Sequence, residues 1–310
     1  MRSALLLCIG GLGILLASCS ALEQAPKPVY DEEAGYLDVR RDHVRWPSPE
    51  SVASDLRSDD EGIRLKALSL SGMTDAQTHE AIESRTFPSR DIGKTVVTPD
   101  QIQLTYASLG EDTTKQAILA VQIGQLTFAA IAAPAAKGWE RIAAFDCWCK
   151  YEMEAGADAL AEFVQLHLAP DNGSARPQHY ELVLRGSGGG TGIYVQNEVH
   201  FRMHGGELRR VISFESQKRS CDPTGTQPPS CQIEKRWFYP TQVSNTPGAV
   251  LVDGRGRMAA NNTLAVNWFV RELQIRDLKR LTCTSFKWNQ QQFSYERLTV
   301  APDPCEGSLR

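Results

Sequence analysis

The chain has 310 residues, and its 33 lysines and arginines against 37 aspartates and glutamates leave a formal net charge of -4. Hydrophobic residues at 42% and charged residues at 23% are globular proportions, which exclude a disordered or collagen-like chain. The slightly acidic balance gives no reason to propose nucleic acid as a partner, because binding a phosphate backbone wants a basic face.

Arg2 precedes an apolar run from Ala4 to Leu16. That run is shorter than the ~20 residues of a bilayer-spanning helix, so residues 1–18 read as a secretory signal peptide. It ends in Leu16-Ala17-Ser18-Cys19: an aliphatic residue, two small residues, then cysteine. This resembles the lipobox of bacterial lipoproteins. The resemblance implies cleavage before Cys19, a diacylglyceryl thioether on its sulfur and acylation of the new amine. The partner implied is the envelope membrane, held through acyl chains that contribute about 0.8 kcal/mol per buried CH₂. Within that family an aspartate after the cysteine favours the inner membrane. Ser20 therefore implies the outer membrane, with its periplasmic or surface face left open.

Residues 19–47 are polar, with Pro26-Lys27-Pro28 and Asp31-Glu32-Glu33, and read as a lipidated flexible tether. As a coil this stretch would span about 30 Å. Tyr30, Tyr36 and Trp46 are the side chains in it that could pack on the domain instead.

Helix signals follow. Ser48-Pro49-Glu50 is an N-cap, a proline at the first helical position and an early acid. Val52 and Leu56 share a face, and Ser58-Asp59-Asp60 interrupts it. Ile63, Ala67 and Leu70 form the face of a second helix that Gly72 suits as a stop. Thr74 and Gln77 make a capping-box pattern for a third helix reaching about Ser84. The run from Ser54-Asp55-Leu56-Arg57 to Ala67-Leu68 resembles a HEAT-like repeat, which implies a paired-helix unit over residues 48–95. A solenoid needs about three units to close its core. A single unit is expected to cap its neighbour.

From about Pro99 the hydrophobic period changes from 3.6 to 2. Ile102, Leu104 and Tyr106 alternate with polar residues, Leu119, Val121 and Ile123 share a face, and Thr127 to Ala136 is apolar. Lys137-Gly138 turns the chain into a strand with Trp139, Ala143, Phe145, Cys147 and Cys149 on one face and Arg141 as the exception. Ala159 to Leu168 fits helix or strand. Further strands are expected at Tyr180 to Arg185, Ile193 to Met203, Leu208 to Phe214, Gln232 to Tyr239 and Ala249 to Val252, with a less regular one at Ala265 to Ile275. Thr282 to Trp288 and Gln291 to Leu298 form a closing hairpin. Half-buried antiparallel strands on short turns read this way. The fold class is α+β, mostly β: a short α-helical unit, then an antiparallel β-sheet domain over residues 99–300 and a tail at 301–310. The stretch around Tyr180 to Arg185 loosely resembles a blade segment of integrin-like β-propellers. Its preceding loop, Asp171 to Arg176, lacks the alternating aspartates that a calcium loop requires.

Eight cysteines occur. With Cys8 in the signal peptide and Cys19 lipidated, the disulfide candidates are Cys221, Cys231, Cys147, Cys149, Cys283 and Cys305, in a compartment where disulfides persist. Cys221 and Cys231 flank a nine-residue polar loop, and a bridge there is expected to contribute about 3 kcal/mol. The other pairings are not readable from spacing. A four-thiolate zinc site and a redox Cys147-Trp148-Cys149 are the functional alternatives.

Gly186, Gly188, Gly189, Gly190 and Gly192 form a run that leads into Ile193-Tyr194-Val195, a strand rather than a helix, with no following Lys-Ser or Lys-Thr. A phosphate loop is therefore not indicated. A turn needing positive φ is expected, with partner contact as its functional reading. Glu198, His200, Arg202 and His204 share one strand face; two histidines and a glutamate could bind a metal, and a solvated polar face explains the same alternation. Asp253-Gly254-Arg255-Gly256-Arg257 reads as a basic turn. No Gly-x-Ser-x-Gly or His-Glu-x-x-His occurs. The expectation is a lipid-anchored envelope protein that binds or scaffolds an envelope protein or glycan, with no catalytic residue, metal or cofactor nominated. An envelope hydrolase using acidic or histidine residues in a β-domain cleft is the alternative.

Overall fold

The structure is a computed structural model that describes residues 32–33, 37–73, 101–110, 113–123, 126–147, 160–161, 163–169, 179–190, 193–221, 230–243, 246–259 and 280–298. The signal peptide, Cys19, the third expected helix, Cys149, the Asp171 loop, the strand expected at 265–275, Cys305 and the tail lie outside these residues.

Two antiparallel sheets and two short helices make up the described chain, so the fold is α+β and mostly β. Sheet A holds β1 (Glu32–Glu33), β2 (Asp38–Arg40), β3 (Val44–Trp46), β4 (Ile102–Ala107), β5 (Gln116–Ile123), β6 (Leu126–Ala135) and β7 (Gly138–Cys147). Sheet B runs in chain order from β8 to β15: β8 (Val164–Leu168), β9 (Tyr180–Gly190), β10 (Ile193–His204), β11 (Glu207–Cys221), β12 (Ser230–Val243), β13 (Thr246–Ala259), β14 (Arg280–Asn289) and β15 (Ser294–Arg297). Among the described residues, no helix is long and apolar enough to cross a membrane.

The segment expected as a tether instead carries β1, β2 and β3, with β1 paired to β2. Leu37, Val39 and Trp46 are buried, and β2 and β3 pair in succession with β7. Their apolar side chains gain more from burial than the polar neighbours lose.

Helices α1 (Pro49–Asp55) and α2 (Glu61–Leu70) start as the capping residues dictate. Ser48 Oγ accepts from Ser51 N–H and Asp60 Oδ1 from Ile63 N–H. At the end of α2, Met73 N–H reaches Leu68 O and Gly72 N–H reaches Ser69 O, a Schellman closure with Gly72 at φ +107. Val52, Leu56, Ala67 and Leu68 pack with Leu119, Val121 and Phe128 on the outer face of sheet A.

The other face of sheet A meets sheet B. Val39, Ile118, Ile131, Phe145, Leu182, Leu184, Val199, Phe201 and Met203 share one core. A bulge lies in β7: Ile131 pairs with Ala143 while Ala132 pairs with Arg141, which leaves Ile142 extra. The extra residue moves Trp139 and Arg141 to the helix side and Ala143, Phe145 and Cys147 to the sheet B side. The expectation of one common face is corrected accordingly. Arg141 is buried there because it binds Asp42 through both carboxylate oxygens, at 2.8 and 2.6 Å, and donates to Ser69 O and Leu70 O at the end of α2.

Sheet B is rolled. Six strand-to-strand steps separate β15 from β9, about 29 Å in a flat sheet. Yet Tyr295 Oη on β15 donates to Glu181 Oε1 on β9 at 2.6 Å, and β15 packs on β11. The face turned away from sheet A is therefore the inside of a roll.

Candidate functional site

Pairing of β9 with β10 sets Glu198 opposite Arg185 and His200 opposite Val183. Alternation sends Leu182, Leu184, Val199 and Phe201 to sheet A, and Glu181, Arg185, Glu198, His200 and Arg202 into the roll. The far wall of the roll is apolar, built from Phe214, Phe238, Ala249, Leu251, Phe286, Trp288 and Tyr295. The Glu198 to His204 face was expected in solvent. Glu198, His200 and Arg202 are buried instead, because later strands of the rolled sheet close over them: His200 is 0%, Glu198 4% and Arg202 4% exposed, while His204 is half-buried.

His200 sits between two carboxylates. Nδ1 lies 3.0 Å from Glu181 Oε2 and Nε2 lies 2.9 Å from Glu198 Oε1. Arg185 Nε donates to Glu198 Oε2 at 2.9 Å. Phe238 meets the imidazole edge at a 4.7 Å centroid distance and Phe214 lies at 5.9 Å. Burial alone would favour neutral His200; the two carboxylates outweigh it and raise its pKa. Burial alone would likewise raise Glu198, but the bonds from His200 and Arg185 hold it at about 2. Burial and the neighbouring Glu181 push the Tyr295 phenol upward, so it stays a donor. Two anions and two cations thus form a neutral set, the arrangement in which buried charges are tolerable.

His167 on β8 stands edge-on to His200 at a 5.7 Å centroid distance, with Nε2 3.2 Å from Gln165 Oε1. Its burial, and then the charge on His200, lower its pKa and keep it neutral. The ligand atoms of His167, Glu198 and His200 lie within 4.8 Å of one another.

Arg202 marks the other end of the cluster. Nη2 meets His179 Nε2 at 2.9 Å, and the guanidinium lies 4.5 Å over Trp288 and 5.5 Å from Phe293. His204 stacks on Phe293 at 4.1 Å. Arg202 pairs with no carboxylate among the described residues, and its buried Nε has no hydrogen-bond partner. His179, His204 and Trp288 around it are only half-buried.

General-base chemistry at His200 is disfavoured, because both ring nitrogens donate to carboxylates and neither carries a free lone pair. The glycine run is corrected too: Gly186, Gly188, Gly189 and Gly190 lie in β9, opposite Asn197 to Ile193, rather than in a turn. Gly192 lies outside the described residues. Asp253, Arg255 and Arg257 also belong to a strand, β13, where Asp253 and Arg255 join Arg236 and Glu234 in ion pairs.

Of the cysteines, Cys221 and Cys231 are directly opposite in β11 and β12. Cys147, Cys231 and Cys283 are disulfide-bonded, which removes their thiolates from any zinc site. Sequence reasoning missed Glu181, Tyr295 and His167 as members of the cluster; the only signal for Glu181 was a charged residue at the start of an otherwise apolar strand.

No protein-family model matches the chain, no curated protein matches its sequence, and no solved structure matches its fold.

Proposed function

We propose that this protein is a lipid-anchored binding module of the bacterial cell envelope, and that the roll of sheet B takes a small ligand bearing an anionic group. The observation that carries the reading is Arg202. The charges of Glu181, Glu198, His200 and Arg185 cancel, whereas the buried guanidinium of Arg202 faces no acid among the described residues. An uncompensated buried cation is costly, and an anion relieves it with charge-assisted hydrogen bonds. Trp288 and Phe293 beside it supply a surface for an apolar or ring-shaped body. The lipobox ending in Cys19 supports the anchor and the envelope location.

The test is a titration of the full-length lipoprotein in detergent with phenyl phosphate, benzoate and benzyl alcohol, followed by calorimetry. The anions are expected to bind saturably and the neutral alcohol to bind at least tenfold more weakly. Arg202→Gln is expected to abolish that preference. Equal binding of all three probes, or anion binding unchanged in Arg202→Gln, would overturn the reading.

A further inference from the structure

We infer that His167, Glu198 and His200 form a binding site for a divalent transition-metal ion of the zinc class within the roll. The three side chains supply two imidazole nitrogens and one carboxylate oxygen, a donor set that suits zinc, copper or nickel over calcium or magnesium. In a tetrahedral zinc site such donors stand about 3.3 Å apart. Here they lie within 4.8 Å. His200 Nε2 and Glu198 Oε1 are already 2.9 Å apart, so the remaining closure lies with His167. That side chain is half-buried and lies on the edge strand β8.

The surroundings are those of a supported metal site. Glu181 Oε2 takes the Nδ1 hydrogen of His200, which directs Nε2 at the cluster, and Tyr295 holds Glu181 in turn. A histidine ligand whose other nitrogen is held by a carboxylate is the usual outer-shell arrangement. On β8, donation from His167 Nε2 to Gln165 Oε1 leaves the lone pair on Nδ1. Arg185 occupies Glu198 Oε2 and leaves Oε1 for the ion. On loading, the ion takes the place of the proton on His200 Nε2, which leaves to solvent. One coordination position remains for water or a further ligand. The site is distinct from Arg202, so it stands or falls apart from the anion reading.

The test uses untagged full-length lipoprotein in detergent, stripped with chelator and dialysed. Zinc is titrated by calorimetry, and cobalt is added separately to read the visible bands of a tetrahedral site. One zinc per chain with micromolar or tighter affinity is expected. His167→Ala should weaken binding at least 100-fold and remove the cobalt bands, with its circular dichroism matching the wild type. His43→Ala, at an exposed histidine beside Glu140, should bind as the wild type does. If the wild type takes up no zinc at millimolar concentration, or His167→Ala binds as tightly as the wild type, the inference is wrong. The conservative variant Glu181→Gln, which keeps an acceptor for Nδ1, should weaken zinc by about 10-fold and no more.

Discussion

Tyr295 Oη donates a 2.6 Å hydrogen bond to Glu181 Oε1 across 114 residues of sequence, and both groups are buried. This contact ties the last strand of sheet B to one near its opposite edge. Tyr295 also meets Phe238 and Trp288 at ring distances of 5.1 Å, so its body packs while its hydroxyl satisfies a charge.

Tyr295→Phe keeps the ring and deletes the donor. It leaves one oxygen of a buried carboxylate without its partner. A hydrogen bond to a charged group is worth about 1.5–3 kcal/mol, so the urea midpoint should fall by the equivalent amount. A midpoint unchanged from wild type would show that the roll does not depend on this bond.

Stability should depend on pH from both sides. Glu198 is depressed to about 2, so its contribution is complete above the ordinary glutamate pKa of 4.5 and is lost as pH falls towards 2. Asp42, whose carboxyl is held low by Arg141 and Arg40 against its own burial, adds to the acid limb. His200 is raised, so its contribution is complete below pH 6.5 and is lost as pH rises through its folded pKa. The Tm of the chelator-stripped protein by calorimetry should therefore peak between about pH 4.5 and 6.5. In His200→Gln the alkaline decline should shrink; an alkaline limb identical to wild type would count against a charged His200.

The Cys221–Cys231 register predicts a bridge between these two cysteines across the β11–β12 pair. Peptide mapping without reduction should recover the linked pair. The double variant Cys221→Ser with Cys231→Ser should lose about 3 kcal/mol of stability. Recovery of Cys231 linked to another cysteine would refute the pairing. Cys19→Ser should abolish acyl incorporation, measured by mass spectrometry, and release the protein from the membrane fraction.

Gly72 and Gly206 separate two costs of a side chain. Both have positive φ, at +107 and +85. A Cβ on Gly72 would stand 2.8 Å from Ala144 Cβ, whereas one on Gly206 meets nothing within 4 Å. Gly206→Ala should cost about 1 kcal/mol of backbone strain. Gly72→Ala adds the clash and should cost about 2–4 kcal/mol, read as the difference in urea midpoints.

Local chemistry was readable from the residues. Ser48 and Asp60 cap their helices because their side chains reach the backbone N–H three residues ahead. Lys137-Gly138 turns β6 into β7, with Gly138 at a φ of 87 that favours glycine. Alternation placed Val199, Phe201 and Met203 on one face and Glu198, His200 and Arg202 on the other. It could not say what covers the second face. The bulge at Ile142 escaped notice for a related reason: one extra residue inverts the face of everything before it, yet leaves no mark in composition.

By itself the sequence determined the mostly β class, the helix starts and the hairpin turns, which rest on alternation, caps and glycines acting within a few residues along the chain. Only the tertiary structure decided that β2 and β3 join sheet A, that the glycine run is strand, and that the polar stripe of β10 is interior. Those outcomes depend on the roll of an eight-stranded sheet, which brings β15 to β9. Sheet curvature and bulge placement arise from packing among distant strands, and no short stretch of residues carries that information.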